Sequence, residues 1–314
     1  MGENMEAERR TYIGGSDMAA ILGLNPYKSP YHVWCLKRGL VTDDVGDQEA
    51  VYWGTRHEAM LMEEWARRTG GEVLAYPGPF LRHPTKPYLG GHTDGLGLAD
   101  TLTLLEGKTV SERVFANQWE QPDGEVRAPS HYRIQGQWYL HLWHAKAAAD
   151  PDTPAPPSVV HFPTLVGGNR FLVYADPYRP DLGAKLEAQA DLFWERVVTG
   201  QVPDDFAPGD NLALAFPEER PGSQVDLSED LLARWQDLDA RIWAHEAELK
   251  PLREAKDKLA LEVQAVMGDA ERGAFPGGLV CTWNLKNGTR QGYTVEPKAE
   301  RGFRWPTVRA RKGA

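Results

Sequence analysis

Residues 90–110, GGHTDGLGLADTLTLLEGKTV, set two carboxylates and an ammonium where apolar side chains belong. With a three-residue turn at Ala99-Asp100-Thr101, each position n of the first strand faces position 200 minus n of the second, so Asp94 stands opposite Glu106. Alternate residues of a strand share a face, which groups Asp94 with Leu96 and Leu98, and Glu106 with Leu102, Leu104 and Lys108. Opposed carboxylates repel, and burying one unpaired costs several kcal/mol. Lys108 supplies one positive charge. The remaining deficit is one that an oxygen-seeking divalent cation, Mg2+ or Mn2+, would fill.

Glu58 repeats the anomaly on a helix, where it shares the stripe of Leu61, Met62 and Trp65 while Glu63, Glu64 and Arg67 point elsewhere. It is a candidate third ligand; the alternative is a local ion pair with Arg56. Gln135 lies on one helical face with Tyr132, Trp138, Tyr139 and Leu142, and an amide there needs a partner, either a structural hydrogen bond or a phosphate or water at a site. The opening IGGSD offers close backbone approach at Gly14-Gly15, the Ser16 hydroxyl and the free amides of a helix start. With Arg9 and Arg10 upstream it reads as a phosphate pocket. His141-x-x-His144 has no HExxH or cysteine partners, and no GxxxxGK[ST] loop exists to hold ATP.

Elements to position these groups follow from the punctuation. Ser16 is expected to cap a short helix from Asp17 to Leu22 closed by Gly23, and Ser29-Pro30 to open a second running towards Gly39. Helices are expected at 54–69, 131–146 and 181–199, a hairpin at 88–98 and 102–110, and another at 158–166 and 170–175 around Gly167-Gly168-Asn169. That alternation predicts an α/β (α+β) core with a central mixed sheet flanked by helices. Loops are expected at 117–130, at the proline-rich 149–158, and at about 201–225, which reads as a domain boundary. Beyond it, Leu231, Trp235, Leu238, Ile242, Leu249, Leu252, Leu259, Val263 and Val266 recur at three- or four-residue steps, the pattern of a long helix or helical pair that Pro251 kinks or divides. A packing or oligomerisation arm accounts for that pattern.

Composition bounds the function. The chain has 314 residues and a formal charge of −10, enough length to bury a core without staples. Cys35 and Cys281 alone cannot build a disulfide framework or a four-cysteine metal site, so a reducing compartment, the cytoplasm, is expected. No apolar run approaches a membrane span, and the first residues lack the regions of a signal peptide. Residues 281–314 hold eight Lys/Arg against two Glu, a net +6 that leaves −16 on the rest. Trp283, Tyr293, Phe303 and Trp305 interleave with those bases, the composition of a nucleic-acid contact or of a solvated tail.

Asp94 with Glu106-x-Lys108 matches the PD-(D/E)xK nuclease pattern. The phrases IGGSDMAAILG, GTRHEAMLMEEW, GGHTDG, LLEGKTV and HYRIQGQWYLHL resemble the YqaJ-type viral recombinase family, relatives of phage lambda exonuclease. The likeness runs over residues 9–206, including FWERVVTG; the later MGDAE and basic end resemble the tails of phage members less specifically. It implies a restriction-endonuclease-like exonuclease domain at 1–206, a linker at 207–226, a helical arm at 227–270 and a basic segment at 271–314.

The resemblance further implies that Asp94, Glu106 and the Gly107 carbonyl hold metal, as part of a two-ion Mg2+ site that Mn2+ also serves. Lys108 would activate or orient the attacking water, Glu58 would bind the second ion or its water, Gln135 would organise the site with Tyr132 in support, and Ser16 with Arg9 would receive a 5′-phosphate. Arg10 is the other choice for that role. The implied activity is 5′-to-3′ digestion of linear duplex DNA, leaving 3′ overhangs for a strand-annealing partner in phage-type recombination, in a bacterial cell or phage-infected host. A homo-oligomeric ring is allowed. A structure- or site-specific endonuclease on the same core and a non-catalytic DNA-binding scaffold are the alternatives. One departure stands out: the family commonly carries a β-branched or bulky apolar residue where this chain has Gly107, which predicts a looser strand rather than a lost ligand.

Overall fold

A computed structural model describes residues 7–42, 49–120, 124–276, 280–285 and 301–304. The chain divides into two compact units, Met1–Glu219 and Arg220–Ala314. The first unit is a mixed α/β fold. Its opening helix α1 (Gly15–Ile21) starts from Gly14, whose N–H donates to the Asp17 carboxylate at 3.0 Å. Asp17, one turn inside, therefore performs the capping expected of Ser16, which sits within the first turn. Helix α2 (Pro30–Lys37) is capped by Ser29, whose hydroxyl accepts from the His32 N–H at 2.9 Å. Helix α3 (Glu49–Thr69) begins earlier than residue 54.

Strands β1 (Glu72–Ala75), β2 (Phe80–Arg82), β3 (Gly90–His92), β4 (Gly95–Leu98), β5 (Leu102–Leu105) and β6 (Lys108–Val110) follow. The β4–β5 register is Gly95↔Leu105 through Leu98↔Leu102, the pairing predicted from the three-residue turn. The two expected strands are not continuous, however. The first breaks at Thr93-Asp94, where β3 leaves to pair with β2 in a separate two-stranded sheet. The second breaks at Glu106-Gly107.

Helix α4 (Glu112–Gln118) and helix α5 (Ser130–Ala149) lead to β7 (Val159–Val166) and β8 (Arg170–Pro177), an antiparallel hairpin turned through Gly167 and Gly168 at positive φ. Both β5 and β6 pair parallel with β7 at one constant offset, Leu105↔His161 and Lys108↔Thr164, so they are two segments of one interrupted strand. The interruption has a chemical cause. The Glu106 N–H donates to the His161 carbonyl at 3.0 Å, but the next donor that a parallel ladder would use belongs to Pro163, which has none. Helix α6 (Pro180–Thr199) ends at Gly200 with φ 78°.

Helices cover both faces of the sheet. Met62 and Trp65 of α3 pack with Leu105 on one side, while Leu104, Val160 and Phe162 join Ile134 and Trp138 of α5 on the other. Both faces of the β4–β5 hairpin are thus used. Leu98, expected on the apolar face, is 44% exposed. Burying each of the large side chains contributes ~1.5–3 kcal/mol, and this double-sided core is what holds polar groups in a dry interior.

The second unit carries one 39-residue helix, α7 (Glu229–Met267), capped by Ser228 and running through Pro251 undivided, then strands β9 (Arg272–Ala274), β10 (Val280–Leu285) and β11 (Arg301–Arg304) in the order β11-β10-β9. Trp283 pairs with Phe303 across β10 and β11, whereas Tyr293 and Trp305 lie outside the described residues. Among the described residues no helix is long and apolar enough to cross a membrane, and Cys35 and Cys281 are free and buried.

Candidate functional site

The two strand breaks meet. One ladder step past Gly95↔Leu105 stand Asp94 and Glu106, where the backbones part and their side chains take over the polar pairing. The Gly107 N–H, whose neighbouring strand has turned away, donates to Asp94 Oδ2 at 3.0 Å. Lys108 Nζ lies 3.2 Å from Glu106 Oε2 and 3.8 Å from Asp94 Oδ2. Glu106 is wholly buried; its Oε2 accepts from Lys108 and, at 2.9 Å, from Gln135 Nε2, while its Oε1 is buried without a hydrogen-bond partner.

Glu58, Asp94, Gly107, Lys108 and Tyr132 line one open cavity of about 260 Å³, with Thr55 and Thr109 at its walls. Helix α3 brings Glu58 there because Leu61, Met62 and Trp65 are anchored in the interior one and two turns further on. Its local alternative partner is occupied elsewhere: the Arg56 guanidinium lies 5.1 Å from the Tyr52 ring centroid. Tyr132 stands 5.2 Å from Lys108 Nζ, a cation–π contact. Leu61 and Met62 also close the space beside Gly107. A Cβ there would meet Leu61 Cδ1 at 3.1 Å, so the missing side chain leaves no void.

The electrostatics are those of too much negative charge in too little water. Burial, reinforced by Asp94, pushes Glu106 up to about 8, and burial with the same neighbour pushes Glu58 up to about 7. Asp94 is raised by burial against the opposing pull of Lys108 and the Gly107 amide. Burial disfavours the Lys108 ammonium, but Glu106 and Asp94 outweigh it and hold its pKa above the ordinary value.

A divalent cation fits these donors. The orphaned Glu106 Oε1, the adjacent Asp94 carboxylate and the Gly107 backbone are oxygen-rich and short of positive charge. Among the described residues, no ready-made cage of three or more His, Cys, Asp or Glu side chains closes around a point. Water and substrate oxygens would complete the shell.

Ser16 and Arg9 are not among the residues that line the cavity; the IGGSD turn meets the site through Gln135 and Tyr139. Ile13 bridges Leu89 at the start of β3, and the Trp138 indole donates to the Gly90 carbonyl at 3.1 Å. Gly15 is pressed against Gln135 and Tyr139, so closely that a Cβ would stand 2.8 Å from each. Ser16 is half-buried and Arg9 exposed. The Arg9 charge acts on Asp17, Tyr12 and Tyr139, whereas Arg10 packs against Gly39.

Two participants, Lys37 and His131, lie outside the sequence reading. Lys37 forms a buried pair with Asp17 at 2.7 Å and donates to the Arg9 carbonyl at 2.7 Å, tying the IGGSD turn to α2. Tyr139, expected on the Gln135 face, has its OH 3.4 Å from Gln135 Nε2 one turn along the same helix. His131 is driven down to about 4 by burial and then by the nearby Lys108 charge. Neither Lys37 nor His131 carries a spacing signal, since each pairing spans elements. The pair His141 and His144 is structural: His141 contacts Glu187 at 2.6 Å and Tyr178 at 3.0 Å, and His144 contacts the Pro157 carbonyl at 3.1 Å.

Residues 5–146 match the model of the YqaJ-like viral recombinase domain, a span that contains Glu58, Asp94, Glu106, Lys108 and Gln135. This region is a YqaJ-like domain. The chain is 29% identical over 281 residues to the uncharacterized protein YqaJ of Bacillus subtilis strain 168, covering 88% of this chain and 81% of that protein. It is 40% identical over 118 residues to protein D345L of African swine fever virus strain Badajoz 1971 Vero-adapted, covering 34% of this chain and 32% of that one. Among solved structures it is similar to an alkaline exonuclease, LHK-Exo, of Laribacter hongkongensis, at 17% identity and TM-score 0.47 over 63% of this chain and 93% of that one. A phage-related exonuclease of Haemophilus somnus 129PT follows at 10% identity and TM-score 0.35, over 60% and 95%. The YqaJ-like domain thus holds the cavity and the carboxylates behind it in a single segment of chain.

Proposed function

We propose that this protein is a metal-dependent 5′-to-3′ exonuclease acting on linear double-stranded DNA and leaving 3′ single strands for a strand-annealing partner, in the cytoplasm of a bacterial cell or phage-infected host. One observation carries the reading: the wholly buried Glu106 carboxylate, with an unbonded oxygen, beside Asp94 and Lys108 at the edge of an open cavity. A fold does not pay that electrostatic cost for packing alone.

Asp94, Glu106 and the Gly107 carbonyl would hold Mg2+ or Mn2+, with Glu58 on the second of two ions or its water. When bound, such ions supply Lewis-acid polarisation of phosphate and a lowered pKa for water. Lys108 orients the attacking water and offsets charge developing on the phosphate oxygens. Glu58 lines the same cavity and would bind the second ion or the water beside it. Gln135 holds Glu106 in place, and Tyr132 shields the Lys108 ammonium from bulk solvent.

Water adds to phosphorus and the bond to the 3′-oxygen of the terminal nucleotide breaks. The released mononucleotide keeps its 5′-phosphate, and the shortened strand presents a new 5′-phosphate to Ser16 and Arg9. Family membership of residues 5–146 supports this nuclease reading.

The test is a time course on linear duplex with and without a 5′-phosphate, in Mg2+ and with EDTA, for the wild type and for Asp94→Ala and Lys108→Ala. Metal-dependent release of mononucleotides, faster from the phosphorylated end and absent in both variants, is the expected result. Unchanged digestion by either variant overturns the site. Nicking of closed circular DNA replaces the exonuclease by an endonuclease, and duplex binding without hydrolysis in Mg2+ and Mn2+ replaces both by a scaffold.

A further inference from the structure

Helix α7 exposes a long apolar seam with a period of seven. One row is Trp235, Ile242, Leu249 and Val263; the other is Leu231, Leu238, Leu252, Leu259 and Val266. Each row repeats at seven-residue multiples, and the rows alternate by steps of three and four, the a and d positions of a coiled coil. Trp235 is 69% exposed, Leu252 65% and Val266 89%. A helix of this length, about 58 Å at 1.5 Å per residue, has no reason to keep such a seam in water. The two polar residues in register are Lys256 in the first row and His245 in the second.

We infer that α7 forms a parallel, in-register, two-stranded coiled coil with α7 of a second copy of this chain. The charges flanking the seam identify the occupant. In a parallel pair, the residue preceding each first-row position meets the residue five further on in the partner. Here that sets Arg234 against Asp239, Arg241 against Glu246 and Glu248 against Arg253, three consecutive opposite-sign contacts that the two-fold axis doubles. All six side chains are exposed in the single chain, where Arg234 and Arg241 pair with Asp230 and Asp237 of their own helix and Glu248 lies 3.7 Å from His245, exposed contacts that the interhelical pairs exchange or share.

A full-length antiparallel overlap instead sets Asp239 against Ala260 and Glu248 against Ala255 and so loses part of this complementarity. Ile242 and Val263 in the first row with leucines in the second favour two strands over three, and a lone lysine in the first row selects register. Pro251 is on the outer face, away from the seam, so its missing N–H and its ring disturb no interhelical contact. The inference is independent of the nuclease reading, because it is read out by mass and not by activity.

Sedimentation or light scattering of the full chain is expected to give twice the 35.1 kDa chain mass. Leu238→Lys with Leu252→Lys is expected to halve it; both side chains are exposed, so neither change removes a core contact of the single chain. Arg241→Glu should weaken association and Arg241→Glu with Glu246→Arg should restore it. Mild oxidation of a Leu238→Cys variant should cross-link two chains through the new thiols, which an antiparallel pair would hold far apart. A mass of one or three chains, a dimer unaffected by the lysine substitutions, or a dimer that does not cross-link at position 238 would each overturn the proposal.

Discussion

Gln135 Nε2 reaches Glu106 Oε2 across 2.9 Å and so joins the middle of α5 to the break between β5 and β6. The bond fixes one oxygen of a buried carboxylate, while the other is buried without a partner. Gln135 is therefore a positioning residue. Replacing it by leucine is expected to lower nuclease activity roughly 10–100-fold, the usual effect of removing an outer support of a metal ligand, and to raise the Mg2+ concentration needed for half-maximal rate. Rates measured across a Mg2+ series decide the point; an unchanged half-maximal concentration would show that Glu106 is held by Lys108 alone.

The raised carboxyls make metal-free stability depend on pH with a definite sign. A carboxyl whose pKa is higher in the folded state, as with Glu106 at about 8 against 4.5, contributes fully below 4.5, and that contribution is lost as pH rises towards 8. Glu58 acts likewise between 4.5 and about 7. His131, depressed to about 4, works in the opposite direction but only below its ordinary 6.5. The window from pH 6.5 to 8 is therefore free of His131. Across it, the wild type in EDTA is expected to lose up to about 2 kcal/mol relative to Glu106→Gln, at ~1.4 kcal/mol per pH unit. Thermal melts of the two proteins should diverge with pH, and Mg2+ at pH 8 should close the gap.

Gly107 stands where a side chain would touch Leu61 Cδ1 at 3.1 Å and Met62 Cε at 3.4 Å. Both neighbours are flexible at their tips. Gly107→Ala should change stability by less than about 1 kcal/mol, whereas Gly107→Val overpacks the interface and should cost ~1–3 kcal/mol. Denaturant midpoints report the difference; a marked gain in stability for valine would mean that the strand is under-packed after all.

Asp17 and Lys37 form an ion pair with side-chain exposures of 8% and 4% that anchors the IGGSD turn to α2. The Lys37 ammonium and the Gly14 amide hold the Asp17 carboxyl below its ordinary range despite its burial. Lys37→Met leaves a buried carboxylate uncompensated and should cost ~3–5 kcal/mol. Adding Asp17→Asn should recover part of that loss, so the double variant unfolds later than the single one. Preference for a 5′-phosphorylated end should fall in both variants, since Lys37 also braces the Arg9 carbonyl.

Local chemistry was legible in the chain. The turn at Ala99-Asp100-Thr101 set the β4–β5 register, the alternation placed Asp94 level with Glu106, and the apolar stripe of α3 carried Glu58 inward, because strand and helix periods are properties of neighbouring residues. What the tertiary structure alone decided was everything that depends on two distant segments meeting. Pro163 of β7 interrupts the strand at Glu106, and Lys37 and His131 enter the surroundings of the site. Periodicity specifies which face a side chain takes; only the packed fold specifies what waits on the other side, and with it whether a charge is solvated, paired or left short of a partner.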